Sequence, residues 1–354
     1  MPIVDSPDSR VDAEMSRVLK ERFLCSQGLV LDSELDNHPH MIIAVQHLLN
    51  WFSNLEELAQ QPLGRRLAHA SADHETWRQM RRQPGVPKGL FSRRKRIPWL
   101  QADWTIRGIG KLSELDGEKL QVDDQVQSAI AGGQAAGAWE VLQGSRFRFR
   151  WEQQDSLKTN IVVERDNRPA QPPRSTHSSW SKVPEQAESG FANVEMNKSG
   201  WEIDGLRSFL LGRDLLLRLE TEMIPHITVY FDDGLYQFDE LDEDMARMWN
   251  LMARSEQKAF YEQGEHIMVA ELEHWRGIIK RFFSRMGLGE VESIDEIDSH
   301  GGIEIHFQNL FHPALMCGRL MGCWQRAYGR HPRCNWKFEN GVHIVQLRSR
   351  HELA

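Results

Sequence analysis

Cysteine is scarce in this chain of 354 residues, and its distribution excludes a domain held together by disulfides. Three of the four cysteines lie near the C-terminal end: Cys25, Cys317, Cys323 and Cys334. Small secreted domains need denser cysteine frameworks. Residues 1–10 lack the basic and apolar regions of a signal peptide, so we expect a reducing, cytoplasmic location. No apolar run reaches the roughly 18 residues that a membrane-spanning helix needs, so we expect no membrane span.

An excess of basic residues is also missing. The formal net charge of −8 argues against general nucleic-acid binding, which normally shows a basic surplus. Residues 78–96 are a local exception, with eight basic residues and no acidic one, and their prolines and glycines predict a loop. This basic loop is either a solvated run of charge or a site for an acidic partner such as RNA or a protein. The candidate residues for such a site are Arg81, Arg82, Arg93, Arg94, Lys95 and Arg96.

A partner of opposite charge lies in the same chain. Residues 232–244 are rich in aspartate and glutamate, and the two segments together suggest docking within one chain or between copies. Exposed charges are screened over about 8–10 Å at physiological salt, so salt would weaken such docking.

Catalytic motifs are absent as well. The sequence contains no Ser/His/Asp order, no Gly-rich phosphate loop and no His-Glu-x-x-His. Cys317 and Cys323 are six positions apart, which places them on different faces of a helix and argues against one shared metal site. We therefore predict no catalytic residue and no metal, and the cofactor stays unknown.

A pattern of glycine and tryptophan occurs twice, 185 positions apart. Gly133, Gly137, Trp139, Gly144 and Trp151 are matched by Gly318, Gly322, Trp324, Gly329 and Trp336. A second alignment, at an offset of 186, pairs Pro39-His40 with Pro225-His226. The two alignments predict a tandem duplication of a unit the size of one domain.

The duplication predicts an α+β protein of two homologous domains. Residues 1–10 form a disordered lead-in, 11–165 the first repeat, 166–200 a polar linker and 201–354 the second repeat. Each repeat has the predicted order α-α-β-β-α-β-β, with helices packed on a small antiparallel sheet. The two repeats are expected to be related by a pseudo-two-fold axis, and Asn340-Gly341 predicts the last hairpin turn.

The repeated glycines are four positions apart inside predicted helices. A glycine inside a helix costs about 1 kcal/mol relative to alanine, so close backbone approach must explain these positions. Contact with a sheet or helix is the main interpretation, and contact with a ligand is the alternative. The candidate interface or ligand residues are Gly133, Gly137, Trp139, Gly318, Gly322 and Trp324. His40 and His226 follow proline in both copies and form either a repeated site or a structural hydrogen bond.

Gly318, Gly322 and Gly329, followed by a closing hairpin, resemble the 4-vinyl-reductase-type domain, which is related in fold to subunits of the TRAPP vesicle-tethering complex. The copies at Gly133, Gly137 and Gly144 carry the same resemblance. Family members often have a cysteine before the glycines, as Cys317 is here, whereas the first copy has none. The resemblance implies binding of a small apolar ligand or a role in assembly.

The sequence thus predicts a non-catalytic ligand-binding or scaffold protein that acts on a small apolar ligand or by association with itself or a protein partner. The first alternative is a nucleic-acid-associated protein that uses the basic loop. The second is an enzyme with a site in the cleft between the domains.

Overall fold

The computed structural model describes residues 13–89, 92–169, 172–173, 176, 178–184, 189–190, 195–197 and 200–350. The predicted lead-in 1–10 and parts of the predicted linker 166–200 lie outside these ranges. The fold is α+β, as predicted, and every helix and strand described below belongs to this part of the chain.

In the first half of the chain, helix α1 is followed by three strands, three helices and a second sheet that contains one more helix. Its elements are α1 (Ala13–Arg22), β1 (Phe23–Ser26), β2 (Leu29–Asp32), β3 (His38–Ala44), α2 (Val45–Ala59), α3 (Gly64–Arg81), α4 (Ser92–Arg107), β4 (Lys111–Asp116), β5 (Lys119–Asp123), α5 (Ser128–Gln143), β6 (Ser145–Gln153) and β7 (Lys158–Pro169). The two-residue strand β8 (Ser189–Gly190) follows.

The second half also has three strands, three helices and a second sheet, with the additional strand β12 between its first two helices. Its elements are β9 (Glu195–Asn197), β10 (Gly200–Ile203), β11 (Leu206–Gly212), α6 (Arg213–Met223), β12 (Tyr236–Phe238), α7 (Glu243–Glu262), α8 (His274–Phe282), β13 (Gly289–Asp298), β14 (Gly302–Leu310), α9 (Pro313–Tyr328), β15 (Pro332–Glu339) and β16 (Val342–Ser349). Short 3₁₀ helices cover Ser33–Leu35, Ile224–His226 and Ser284–Met286.

The predicted order α-α-β-β-α-β-β is wrong at the start of each half. Three strands precede the helices there, β1 to β3 in the first half and β9 to β11 in the second. Each half also has three helices before its second sheet, where the predicted order has two. In α4 the buried residues recur at helical spacing, with Leu100 and Trp104 on one face and Asp103 and Arg107 on the next.

The two halves meet in one seven-stranded sheet. Its strand order is β8-β1-β2-β3-β11-β10-β9, so β3 of the first half pairs with β11 of the second. The pairing is antiparallel and runs from Ala44 opposite Ser208 to His40 opposite Gly212. The residues on this central pair are buried from Met41 to Ile43 and from Phe209 to Leu211. The two predicted repeats therefore share a sheet.

Each half also has a separate sheet with the same topology. The orders are β4-β5-β7-β6 in the first half and β13-β14-β16-β15 in the second, where β12 adds a parallel edge strand beside β15. The last hairpin turns at Asn340 and Gly341, as predicted, and both have the positive φ that a two-residue hairpin turn favours, 52° and 83°.

The repeated glycines bring two helices together in each half. α5 packs on α3, and α9 packs on α7. A Cβ atom on Gly133 would lie 2.1 Å from the backbone oxygen of Ala68, and one on Gly318 would lie 2.3 Å from that of Ala253. Ala68 and Ala253 are separated by the same 185 positions as the two glycines. Each glycine face therefore contacts a helix of its own half, and the two glycine helices do not face each other.

Helices also cross between the halves. α2 of the first half packs on α7 of the second, and α6 of the second packs on α3 of the first. The indole Nε1 of Trp51 on α2 donates to the backbone oxygen of Met252 on α7, at 3.4 Å. One buried apolar cluster includes residues of both halves. The two halves therefore form one continuous core.

A buried contact between a carboxylate and a histidine lies at each of these two crossings between the halves. On α7, the carboxylate of Glu256 accepts hydrogen bonds from His47 Nε2 (2.9 Å) and from Arg319 Nε (2.7 Å). Burial would raise the pKa of Glu256, but the charge of Arg319 and the contact with His47 lower it to about 2. On α6, Asp214 contacts His74 Nδ1 of α3 at 2.9 Å.

None of the helices in the described ranges has the length and apolar character needed to cross a membrane.

Replacing Gly133 or Gly318 with alanine should destabilise the protein. The new methyl group would meet a backbone oxygen at 2.1–2.3 Å, so the paired helices must separate, a form of overpacking that typically costs about 1–3 kcal/mol. Gly277→Ala is the matched control, because Gly277 lies inside α8 with nothing within 4 Å of a new Cβ. It should stabilise α8 by up to about 1 kcal/mol. Urea unfolding measures all three, and equal stability of G133A and wild type would contradict the close packing.

Glu256→Gln should destabilise the protein by about 3–5 kcal/mol, because it leaves the buried guanidinium of Arg319 without its counter-ion. Glu57→Gln is the matched control. Glu57 also pairs across the halves, with Lys258 at 2.6 Å, but this pair is solvent-exposed and should be worth at most about 1 kcal/mol. Chemical denaturation at pH 7 compares the two variants, and similar losses would show that burial does not govern these contacts.

Candidate functional site

The repeated glycines and tryptophans lie in packed positions. Trp139 and Trp324 are both buried. Trp324 Nε1 donates to the backbone oxygen of Gly301 at 2.8 Å, and its ring contacts Tyr328. The faces of Gly133, Gly137, Gly318 and Gly322 lie against α3 or α7. The four glycines therefore lie in contacts between helices, and the two tryptophans are buried in the core.

His40 and His226 occupy unlike positions. His40 lies buried on β3, where Nδ1 is 2.9 Å from the backbone oxygen of His38 and Nε2 is 3.2 Å from Arg78. Burial and the charge of Arg78 hold the pKa of His40 well below its usual value. His226 is exposed in a short 3₁₀ helix after α6. The alignment at an offset of 186 thus pairs a strand with a helix end, and the structure does not bring these histidines into one repeated site.

The predicted basic loop 78–96 is largely made of two helix ends. α3 continues to Arg81 and α4 begins at Ser92, so only the middle of the segment is a loop. Basic residues in the last turn of α3 suit the negative end of the helix dipole. Arg81, Arg94 and Lys95 are exposed, and Arg96 donates to the backbone oxygen of Leu142. The side chain of Arg93 lies outside the described residues.

Arg82 is buried in a network of opposite charges. Its guanidinium lies 4.0 Å from the ring of Trp99 and contacts Glu34 at 3.2 Å. The same network joins four elements, with the charged residues Arg22, Asp32, Arg78, Asp103, Arg107 and Glu75. Burial opposes the ionisation of Asp103, but the surrounding guanidinium groups hold its pKa well below the usual range. This part of the basic segment is therefore structural.

The acidic segment 232–244 forms local contacts. Asp233 pairs with Arg254, and Asp242 caps α7 by accepting from the backbone N–H of Met245. Arg247 contacts Glu243 and Asp244 on the same helix. Among the residues that the structure describes, no ion pair joins this segment to residues 81–96. Docking of these two segments within one chain is therefore not seen among those residues, and docking between copies stays a prediction.

The cysteines are ordinary core residues. Cys317, Cys323 and Cys334 are buried as free thiols, and burial raises the pKa of Cys317 and Cys323. Within the described ranges, no three His, Cys, Asp or Glu side chains converge on a point where they could hold a metal ion.

A cavity of about 760 Å³ lies where the two halves meet, in the size range of small-molecule sites. It is formed by α3, α6, the start of α7 and the segment around Trp180. Its apolar lining residues are Ala70, Leu217, Leu241, Met245, Trp180 and Trp249. Its charged lining residues are Asp73, Arg218, Glu220, Glu222, Glu240 and Asp242. Apolar and charged residues thus line this cavity in equal numbers, six of each.

An aromatic cluster lies behind the cavity. Trp180 and Trp249, which line it, pack edge to face with ring centroids 5.7 Å apart. Their rings also contact His312, at 5.4 and 5.3 Å, and Trp249 contacts Trp336 at 5.1 Å. His343 completes the cluster beside Trp336. All five residues are buried.

Several ring nitrogens of this cluster lack hydrogen-bond partners. Within the described part of the chain, Nε1 of Trp249, Nε1 of Trp336 and Nδ1 of His312 are buried without one. Buried polar atoms are normally paired, and each exception needs an explanation. His312 Nε2 is bonded to Glu220 at 2.8 Å, and Glu220 lines the cavity. In the same described ranges, Nε1 of Trp139 and Nε1 of Trp275 are also buried without a partner, so unpaired ring nitrogens are not confined to this cluster.

Two neighbouring groups have shifted pKa values. Burial lowers the pKa of His343 to about 3, aided by the charges of Arg213 and Lys182. Burial also lowers the pKa of Arg213 to about 9. The Arg213 guanidinium donates to the backbone oxygens of Phe311 (2.8 Å) and Leu310 (2.6 Å).

This cavity was missed by the sequence reasoning. Trp180 lies in the predicted linker, among Ser178, Ser179 and Ser181, and a lone tryptophan in a polar segment is the signal that it is anchored in a core. The other walls come from three helices that are distant in sequence, and no spacing rule brings them together.

Comparison of the chain with protein-family models, with curated proteins and with solved structures finds no significant match.

The protein should lose stability between pH 7 and pH 5. Burial lowers the pKa of His38 and of His343 to about 3, whereas an unfolded histidine titrates near 6.5. Below pH 6.5 the unfolded chain binds protons that the folded chain does not, so stability falls until the pH approaches 3. Each such histidine costs about 2 kcal/mol at pH 5. The variant His343→Gln should lose less free energy of unfolding between pH 7 and pH 5 than the wild type does. Urea unfolding at the two pH values measures this loss for each protein.

His300→Gln is the control for this experiment, because His300 is exposed. It should keep the pH dependence of the wild type. If H343Q also keeps the full pH dependence of the wild type, the fold does not hold His343 neutral.

Proposed function

We propose that the protein is a non-catalytic binding protein for a small, partly apolar ligand, built from two copies of one α+β unit. The single observation that supports this function most directly is the cavity of about 760 Å³ between the two halves, which both apolar and charged residues line. Ligand sites of this size are found preferentially where two domains meet.

The duplication is supported by the repeated order of elements. Both halves have three strands, helices, two strands, a glycine-containing helix and two strands. The second sheets have the same topology, and the glycines contact residues separated by the same 185 positions. The offset is 168 between Ala44 and Gly212, which end β3 and β11. Segment 224–242, which contains β12 and joins α6 to α7, is longer than the segment that joins α2 to α3. Its extra residues contribute to the difference between the offsets of 168 and 185.

The pairing of the halves supports a pseudo-two-fold arrangement. An antiparallel pair of equivalent strands is self-complementary, as in a symmetric dimer interface. Under this proposal the cavity belongs to the second copy, with α3 of the first copy as one wall. A similarity to the 4-vinyl-reductase-type domain, expected from the glycines, is part of the same proposal and agrees with binding of a small ligand.

The other two functions have less support. For nucleic-acid binding, the exposed basic residues of segment 78–96 are few, because Arg78 and Arg82 are buried in ion pairs. For catalysis, Glu220 lines the cavity and is hydrogen-bonded to the buried His312 behind it. Among the described residues, no hydrogen bond joins this pair to the hydroxyl groups that line the cavity, those of Thr176, Ser178, Ser179 and Thr221. Association with a protein partner is compatible with ligand binding, but this proposal assigns no separate surface to it.

Filling the cavity should abolish ligand binding. Met245 lines the cavity on α7 and is half-buried, so Met245→Trp places a large side chain in it. Met268→Trp is the matched control, because Met268 is 85% exposed and lies outside the cavity. The probes are 2-phenylethanol, 2-phenylethylamine and 3-phenylpropionate, measured by thermal shift and native mass spectrometry. A ligand at 100 times its Kd stabilises the folded state by about 2.7 kcal/mol.

At least one probe should bind wild type and M268W, and M245W should bind it at least tenfold more weakly. Absence of binding by every probe, or equal binding by M245W, would contradict the proposed function.

A further inference from the structure

We infer that the outer edge of β6 is a docking site for an extended segment of a partner protein. The segment would add to the sheet as a parallel strand, with two apolar side chains two positions apart and a carboxylate between them. This inference goes beyond the proposed function and does not depend on the cavity.

The second half of the chain shows the same edge with a strand in place. There β12 lies parallel beside β15. The backbone N–H of Cys334 donates to the oxygen of Leu235 at 2.8 Å, and the backbone N–H of Asp239 donates to the oxygen of Trp336 at 2.9 Å. The edge of β15 is therefore covered by a short segment of its own half.

In the first half, β6 takes the position of β15 but has no such strand. Trp151 of β6 stands 185 positions before Trp336 of β15, and Phe149 matches Cys334 at the same offset. Among the described residues, β6 pairs with β7 and ends its sheet. The connections explain this difference, because residues 60–63 join α2 to α3 whereas residues 224–242, with β12, join α6 to α7.

The aromatic side chains at this edge are more exposed than their counterparts. Cys334 and Trp336 are buried beside β12. Phe149 and Trp151 are only half-buried. An apolar edge strand that is left open promotes pairing with another chain, and extended peptides bind in this way in many recognition domains.

Helix α3 leaves room beside this edge. In the second half, Trp249 of α7 packs edge to face on Phe238 of β12 at 5.4 Å, and Gln257 of α7 accepts the hydroxyl of the β12 tyrosine at 2.7 Å. The matching residues of α3, at the offset of 185, are Gly64 and Ala72. A Cβ atom on Gly64 would have no described atom within 4 Å. Large side chains of a docked strand could therefore take the place that Trp249 and Gln257 fill in the second half.

The open edge of β6 begins after Phe147. The backbone N–H of Phe147 donates to the carboxylate of Glu140 at 2.8 Å, so this donor is already used. The part that remains, around Phe149 and Trp151, has the length of β12. A short extended segment is therefore sufficient to fill it.

The charges on the other face of β6 indicate an acidic partner. Arg148 and Arg150 are exposed, and neither forms an ion pair within the described ranges. Arg150 lies opposite Val162 on β7, so β7 places no carboxylate directly beside it. In the second half, the β12 residue at the matching position is Gln237. A carboxylate at that position of a docked strand would lie beside Arg150, and opposite charges on neighbouring strands stabilise the pairing.

A second copy of the chain fits this edge less well. If two β6 strands paired antiparallel around Phe149, Arg148 of each copy would lie opposite Arg150 of the other. Like charges directly opposite each other destabilise a strand pair. The charge of β6 therefore favours an acidic partner over self-association.

The free peptide of residues 231–241 is the probe, because it contains β12. Two versions carry Gln237→Glu or Gln237→Lys, and fluorescence anisotropy measures their binding to the full chain at pH 7 and low salt. The Q237E peptide should bind roughly threefold or more tightly than the Q237K peptide, because only the first places a carboxylate beside Arg150. A Q237E peptide that also carries Tyr236→Ala and Phe238→Ala should bind roughly tenfold or more weakly, since it lacks the rings that fill the edge.

The variant Arg150→Glu locates the effect on β6. It should reverse the order of the Q237E and Q237K peptides. Arg333→Glu is the matched control, because Arg333 is an exposed arginine on β15, where β12 covers the edge. R333E should keep the wild-type order, and urea unfolding checks that both variants are folded.

Each other outcome would overturn the inference. These outcomes are no binding of either peptide by the wild type, equal binding of the peptide without the two rings, or the same peptide order for R150E and the wild type. Reversal by R333E in place of R150E would show that the peptide replaces β12 on β15. A wild-type dimer in native mass spectrometry that excludes the peptides would place a second copy at this edge.

Discussion

The antiparallel pairing of β3 with β11 is the interaction on which the rest of the structure depends. It joins strands that are about half the chain apart and places the two halves edge to edge in one sheet. Because each of these strands leads directly into a helix, the pairing directs α2 onto α7 and α6 onto α3. The shared core and the cavity between the halves both follow from this packing of helices across the two halves. Neither half could present the cavity alone, since α3 and α7 supply opposite walls.

The two halves use one scaffold with different interiors. The close contact of a glycine helix with its partner helix occurs in both, because bare Cα atoms allow the backbones to approach. Around that contact, the first half buries a network of arginines and carboxylates, whereas the second half buries rings of tryptophan and histidine. Among the described residues, both interiors contain buried polar atoms without a partner, such as Arg78 Nε in the first half and Trp249 Nε1 in the second.

Several features of the fold were predictable because they depend on local chemistry. The Asn340-Gly341 turn is one, since few residues other than glycine and asparagine accept positive φ at both turn positions. The close helix contacts at Gly133 and Gly318 are another. The strands β1 to β3 were not predicted, because strands buried on both faces lack alternation and resemble a helix in sequence. The ion pairs of Arg82 were not predictable either, since charge runs are usually solvated.

The sequence by itself determined the α+β class, the repeated glycine helices and the last hairpin, because each is encoded by spacing or turn chemistry within a few residues. Only the tertiary structure decided how the halves combine and where a cavity forms between them. Ala70, Trp180 and Trp249 are far apart in sequence but all line the cavity. The pairing of β3 with β11 and the packing of helices across the halves bring them together. The two histidines that follow proline show the same limit: identical neighbours in sequence lie in a buried strand in one half and an exposed helix end in the other.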